Sequence, residues 1–303
     1  MMMKTALEQY EWIEDWAKVP ASDNGRTHGV CVVNSGDVIV FHQASPAVLV
    51  FSPEGALKTS WGEYPGAHGL TLVEEDGTEY LWLTDQESHA VHKCTLEGAV
   101  VQELPPPAHP AYKEGGYVPT WVAVNEKRFG GNGDVWVADG YGKSLVHRFD
   151  SSGTYLTTID GHSGAGAFKC PHGIQFDPRR DEPELLVADR GNSRVQVFDA
   201  EGRFKRAFGS DYMTSPDGFS FFGDLMIVPE LTARLTLVDR NDECVAVLGE
   251  NDSVSGEKGW PNHRGNVEPG TCNSPHSACA DAVGNLFLVE WITGGRIVKL
   301  KRI

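Results

Sequence analysis

HGLTLVEEDGTEYLWLTDQ, residues 68–86, is the stretch whose reading decides the fold. Two apolar runs, Leu70–Val73 and Tyr80–Leu83, flank a polar turn containing Asp-Gly, and the second run closes on an acid, Asp85. Runs this short around a turn predict an antiparallel hairpin, since nothing in them repeats every 3.6 residues. The pattern occurs in five further copies: HGVCVVNSGDVIVFHQ from His28, WVAVNEKRFGGNGDVWVADGY from Trp121, HGIQFDPRRDEPELLVADR from His172, DGFSFFGDLMIVPEL from Asp217 and HSACADAVGNLFLVEW from His276. Start-to-start steps are 40, 53, 51, 45 and 59 residues, within or close to the range of propeller blades. Third strands such as AVHKCTL and RVQVFDA follow the hairpins. Fourth strands such as ALKTSWG, AVVQELP and CVAVLGE complete all copies but the last. The expectation is an all-β, NHL-like six-bladed β-propeller occupying residues 1–303 as one domain. The N-terminal YEWIEDWAKVP, residues 10–20, is expected to supply the missing outer strand of blade six and close the ring.

The acid at the end of each second strand (Asp85, Asp139, Asp189, Glu230 and Glu290, with His42 in the first copy) recurs so regularly that it predicts structural bonding to loop amides. Two irregular insertions, PPPAHPAYKEGGYVP (105–119) and residues 251–271, are candidate rim loops. A net charge of −16, from 26 basic and 42 acidic residues, argues against nucleic acid or an anionic membrane as partner. No apolar run is long enough to span a bilayer. The N-terminal segment carries acids where a secretory signal needs an apolar core, so a cytoplasmic protein is expected, monomeric or a small homo-oligomer. The six cysteines include no C-x-x-C pair and are expected to be reduced and mostly buried.

His68, His172 and His276 occupy the same slot in blades two, four and six, 104 residues apart each time. In a toroidal repeat, equal sequence steps become equal rotations, so three imidazoles are expected to converge on one divalent cation. Three neutral ligands leave an open coordination position, the pattern of catalytic zinc; iron, cobalt and manganese remain compatible. The odd blades place His28, Trp121 and Asp217 in that slot.

These residues resemble a known family, the peptidyl-α-hydroxyglycine α-amidating lyases, over most of the chain, from about Gly29 to Val298. GAHGL, CPHGI and SPHSA match the contexts of that family's three zinc-binding histidines, so the resemblance implies zinc on His68, His172 and His276. VADGY matches its active-site tyrosine motif and implies that role for Tyr141. ADRGNSR, with Arg190 and Arg194, matches a third motif. Three departures are informative. Gln43 stands where the family has an arginine thought to work with the tyrosine, Ser274 replaces a methionine, and Ser277 replaces an aspartate that helps bind a structural calcium. The last counts against calcium here.

The residues themselves support the same chemistry. A phenolate beside a metal-bound alcohol is a suitable general base, and removing the proton from N–C(H)–OH expels the nitrogen. If water takes the open position instead, the same parts hydrolyse a lactone or another small substrate. Arg190 is the candidate grip for a carboxylate; Arg26, Gln43, Trp121 and Asp217 are the other candidate substrate contacts. The competing class is a non-catalytic NHL propeller that binds a protein partner with its rim.

Overall fold

A computed structural model describes residues 9–14, 16–20, 25–262 and 267–303; part of the second insertion, residues 263–266, lies outside the described residues. The described strands form six four-stranded antiparallel sheets, the blades of a six-bladed β-propeller, with helix limited to single 3-10 turns. Two compact units hold three blades each. Pro65–Asp211 contains blades two, three and four; Met1–Tyr64 with Tyr212–Ile303 contains blades one, five and six.

Blade two shows how the sequence makes a blade. Ala67–Glu75 pairs with Thr78–Asp85 across a tight turn in which Asp76 (φ 49°) and Gly77 (φ 79°) are both left-handed, as a two-residue hairpin turn requires. Ala90–Thr95 and Val100–Leu104 add the third and fourth strands. Apolar side chains on facing sheets then form the core. Trp82, Val122, Val137 and Phe149 fill the space between blades two and three, and Trp136, Phe168, Ile174 and Phe198 that between three and four. Burying such side chains stabilises by roughly 1.5–3 kcal/mol each.

The sixth blade is completed as expected. Tyr10–Ile13 pairs antiparallel with Arg296–Arg302, from Tyr10 opposite Arg302 to Ile13 opposite Lys299. Trp12 and Ile13 pack on the apolar clusters on either side of that blade.

The recurring acids are structural. Asp85 accepts the amides of Gly66, Glu87 and Ser88 at 2.9–3.1 Å. Asp189 accepts that of Lys169 at 2.8 Å, Glu230 that of Ser215 at 3.1 Å, and Glu290 that of Asn273 at 2.6 Å. In blades four to six an arginine stands directly across the next strand and pairs with the acid: Arg194–Asp189 at 2.8 Å, Arg234–Glu230 at 3.0 Å, Arg296–Glu290 at 2.5 Å. All six cysteines are free thiols, four of them buried. No helix among the described residues is long and apolar enough to cross a membrane.

Candidate functional site

Each slot histidine sits on a break in the ladder. The pairing register shifts between Thr27 and Gly29, Ala67 and Leu70, Pro171 and Ile174, and Pro275 and Ser277, so His28, His68, His172 and His276 all lie at bulges. A bulge re-aims one side chain out of strand alternation. At His68 the distortion also needs the following glycine, since a Cβ on Gly69 would lie 2.4 Å from the Thr120 carbonyl oxygen.

Within Pro65–Asp211, three of the expected residues meet. His68 Nε2 and His172 Nε2 are 3.2 Å apart, and the Tyr141 hydroxyl lies 3.2 Å from the first and 3.1 Å from the second. The ring of His68 is oriented from behind, its Nδ1 donating to the Thr120 carbonyl at 2.8 Å, which leaves the Nε2 lone pair facing the hydroxyl. His68 is fully buried, and desolvation holds its pKa down at about 3; the Thr120 carbonyl pulls the other way and the Arg190 charge adds to the depression. Arg190 places Nη2 3.4 Å from the Tyr141 hydroxyl and 3.3 Å from Cys170 Sγ, its guanidinium 5.5 Å from the tyrosine ring centre. Tyr141 is 41% exposed, so the group is open on that side. Trp121 is 5% exposed, belongs to the core between blades three and four, and has its ring centre 6.4 Å from that of His68 and 6.2 Å from that of His172.

This donor set suits a divalent ion. Zinc–nitrogen bonds of 2.0–2.1 Å at tetrahedral angles need ligand nitrogens about 3.3 Å apart. The observed 3.2 Å between the two Nε2 atoms matches, and an Nδ1–H held by a carbonyl is the usual support of a ligating imidazole.

In the other unit, His276 repeats the His68 arrangement, its Nδ1 donating to the His28 carbonyl at 2.9 Å. The His28 ring stands edge-on to that of His276 with centres 4.5 Å apart, and its Nδ1 is 3.2 Å from the Arg26 carbonyl. The Arg26 guanidinium lies 5.3 Å from the Trp291 ring centre and donates to Asn262 Oδ1 at 2.5 Å, while the main-chain N–H of Gln43 donates to the Arg26 carbonyl at 2.9 Å. Asp217 is fully buried, its amide donating to the Pro229 carbonyl at 2.9 Å. Ser274 Oγ donates to the Trp291 carbonyl at 3.0 Å, and Ser277 is buried.

Three features escaped sequence reasoning: the bulges, the orienting role of Thr120, and the contact between His28 and His276. The one available signal was Ala67, Pro171 and Pro275 before three of the four bulged histidines.

The fold and these residues define the chain as a β-propeller with a histidine–tyrosine cluster. It is 27% identical over 211 residues to a probable peptidyl-alpha-hydroxyglycine alpha-amidating lyase of Caenorhabditis elegans, covering 60% of this chain and 57% of that protein. It is 28% identical over 249 residues to human NHL repeat-containing protein 3, covering 74% and 67%. The chain thus spans only a little over half to two thirds of the length of these relatives. Among solved structures, a streptogramin B lyase superposes with TM-score 0.65 at 13% identity, covering 98% of this chain and 99% of that one. A gluconolactonase from Xanthomonas campestris does so with TM-score 0.68 at 13% identity, covering 98% and 91%. These two share the fold. No family model matches the chain.

Proposed function

We propose that this protein is a metal-dependent lyase that cleaves the C–N bond of a carbinolamide-like substrate, N–CH(R)–OH, small molecule or peptide. The observation that carries the reading is the triangle of His68 Nε2, His172 Nε2 and the Tyr141 hydroxyl, with sides of 3.1–3.2 Å and Arg190 beside it. The names of relatives such as the amidating lyase of Caenorhabditis elegans support it.

His68 and His172 would hold the ion, with His276 as the third ligand by its 104-residue phasing in the sequence. Zinc is the first choice, and iron or manganese suits the same donors. When bound, such an ion supplies Lewis acidity toward the substrate oxygen. The chain's own residues do the rest. The Arg190 guanidinium beside the Tyr141 oxygen favours its phenolate. That phenolate takes the hydroxyl proton of the substrate; the C–O bond becomes C=O, the C–N bond breaks, and the departing nitrogen takes the proton back from the tyrosine. Arg190 also presents its fork to a substrate carboxylate.

The test has two arms. Purified protein is expected to carry near-stoichiometric transition metal that a His172→Ala variant loses; full occupancy in that variant would overturn the metal assignment. Metal-replete protein is expected to release glyoxylate from an α-hydroxyglycine peptide, or an aldehyde from a small carbinolamide, and a Tyr141→Phe variant to lose this by roughly 10²–10⁴-fold with its metal retained. Intact substrates after incubation with metal-replete protein would refute the lyase reading. A metal-free protein that tolerates alanine at all three histidines would favour the binding module.

A further inference from the structure

We infer that Tyr112, carried by the 105–119 insertion, is a positioning residue for Tyr141, acting through Asp139 and an ordered chain of hydrogen bonds in blade three. The inference rests on the reading of Tyr141 as the base.

At the acid slot blade three lacks the cross-strand arginine of blades four to six, as does blade two, where Ala90 faces Asp85. Across the strand from Asp139 stands Leu145, where Asp189, Glu230 and Glu290 face Arg194, Arg234 and Arg296. The partner comes from the insertion instead: Tyr112 donates its hydroxyl proton to Asp139 Oδ2 at 2.5 Å. The rest of the chain is then assigned without choice. Tyr112 has one proton, so His147 Nε2, 2.7 Å away, must donate to the tyrosine oxygen. His147 Nδ1 is therefore an acceptor, and Thr158 Oγ1 donates to it at 2.8 Å. Thr158 in turn takes the Tyr155 proton at 2.7 Å. Each donor has one acceptor, and the chain ends on the Asp139 carboxylate. His147 is fully buried and burial holds its pKa at about 3, consistent with the neutral tautomer this requires.

Asp139 is the foot of the turn that carries Tyr141. Its carboxylate accepts the Lys143 amide at 2.6 Å and its carbonyl the Ser144 amide at 3.1 Å, so residues 140–142 are looped out between its bonds. The insertion touches the same turn twice more. The Val118 amide donates to Asp139 Oδ1 at 2.6 Å, and a Cβ on Gly142 would fall 2.3 Å from the Gly116 carbonyl and 2.1 Å from Asp139 Oδ1. The loop and the tyrosine turn therefore share one carboxylate. In blades four to six an arginine fixed to the blade does that work; in blade three an insertion does it, next to the residue assigned the chemistry.

The experiment compares wild type, Tyr112→Phe, and Tyr112→Phe combined with Leu145→Arg, which supplies the cross-strand guanidinium of blades four to six. Amide hydrogen exchange over residues 139–144, metal content, and kcat and KM on a carbinolamide are read in each. In Tyr112→Phe the 139–144 amides are expected to exchange at least tenfold faster. We expect kcat to fall roughly 10–100-fold, the effect of about 1 Å of misplacement, with KM within about threefold and metal unchanged. The added arginine is expected to restore both exchange protection and kcat. Unchanged exchange in Tyr112→Phe overturns the inference, as does a loosened turn with unchanged kcat. If wild type shows no turnover, the lyase reading fails, while the exchange arm with and without Leu145→Arg still decides whether Tyr112 holds the turn.

Discussion

His147 gives the sharpest stability prediction because its cost can be worked from its surroundings. The imidazole is fully buried between Tyr112 and Thr158, and burial keeps it neutral with a folded pKa of about 3, against an unfolded value near 6.5. The sign follows from proton counting. Between those values the unfolded chain binds a proton that the folded chain refuses, so stability is present above about pH 6.5 and falls as the pH drops toward 3. From pH 7 to pH 5 the loss is roughly 2 kcal/mol, which for 303 residues corresponds to roughly 3 °C in Tm. Asp139 works in the other direction: burial raises its pKa, so its protonation on acidification favours the fold. His68 shares the sign of His147, so the wild-type drop alone is not diagnostic. The diagnostic quantity is the difference between wild type and His147→Gln, whose amide can donate to Tyr112 and accept from Thr158 without titrating. Scanning calorimetry at both pH values is expected to show a wild-type drop about 3 °C larger than that of the variant. Equal drops would refute a neutral, buried His147.

Three further substitutions test the frame and the site. Arg296→Ala removes the guanidinium paired with the fully buried Glu290 and with Glu14, and is expected to cost roughly 3–5 kcal/mol by denaturant titration, with faster amide exchange over Tyr10–Ile13 as the completing strand frays. Gly55→Ala places a Cβ 1.8 Å from the Trp16 carbonyl at a φ of +90°, so a loss of at least roughly 1–3 kcal/mol and a red-shifted tryptophan emission are expected. Gly69→Ala pushes against the Thr120 carbonyl that orients His68, and is expected to weaken metal binding roughly 10–100-fold, read by competitive chelation, with a smaller effect on Tm.

Much of the fold was legible because each blade repeats one pattern. The acids at Asp85, Asp189 and Glu290 could be read as structural from their recurrence alone, and the sheet made from both ends of the chain followed from the missing strand after Arg296–Arg302. The site was legible only where repetition broke. Histidines in alternate slots stood out; Thr120 did not, because its contribution is a carbonyl, which every residue has. Tyr112 was hidden for a different reason. Its partner Asp139 is 27 residues on, and a tyrosine in a proline- and glycine-rich insertion carries no periodicity. Arg190 stands out in the sequence as a candidate carboxylate grip, and its contacts with Tyr141 and Cys170 place it beside the tyrosine.

The two histidines of the other unit pose the question that phasing alone cannot answer. His28 and His276 both sit at bulges, both are buried, and both turn Nδ1 toward a carbonyl. Phasing selects His276. The geometry adds a reason: its Nδ1 bond, at 2.9 Å, is to the main chain of His28, whereas the corresponding bond of His28 is 3.2 Å. Alanine at position 28 retains that carbonyl, so the orientation of His276 survives the substitution even though the ring beside it is lost. His276→Ala is therefore expected to abolish stoichiometric metal as His172→Ala does, and His28→Ala to leave occupancy intact with affinity lowered by about tenfold at most. Elemental analysis of the purified variants decides between them. If His28→Ala empties the protein as fully as His276→Ala, the imidazole of blade one belongs to the ligand set and the threefold reading of the repeat is wrong.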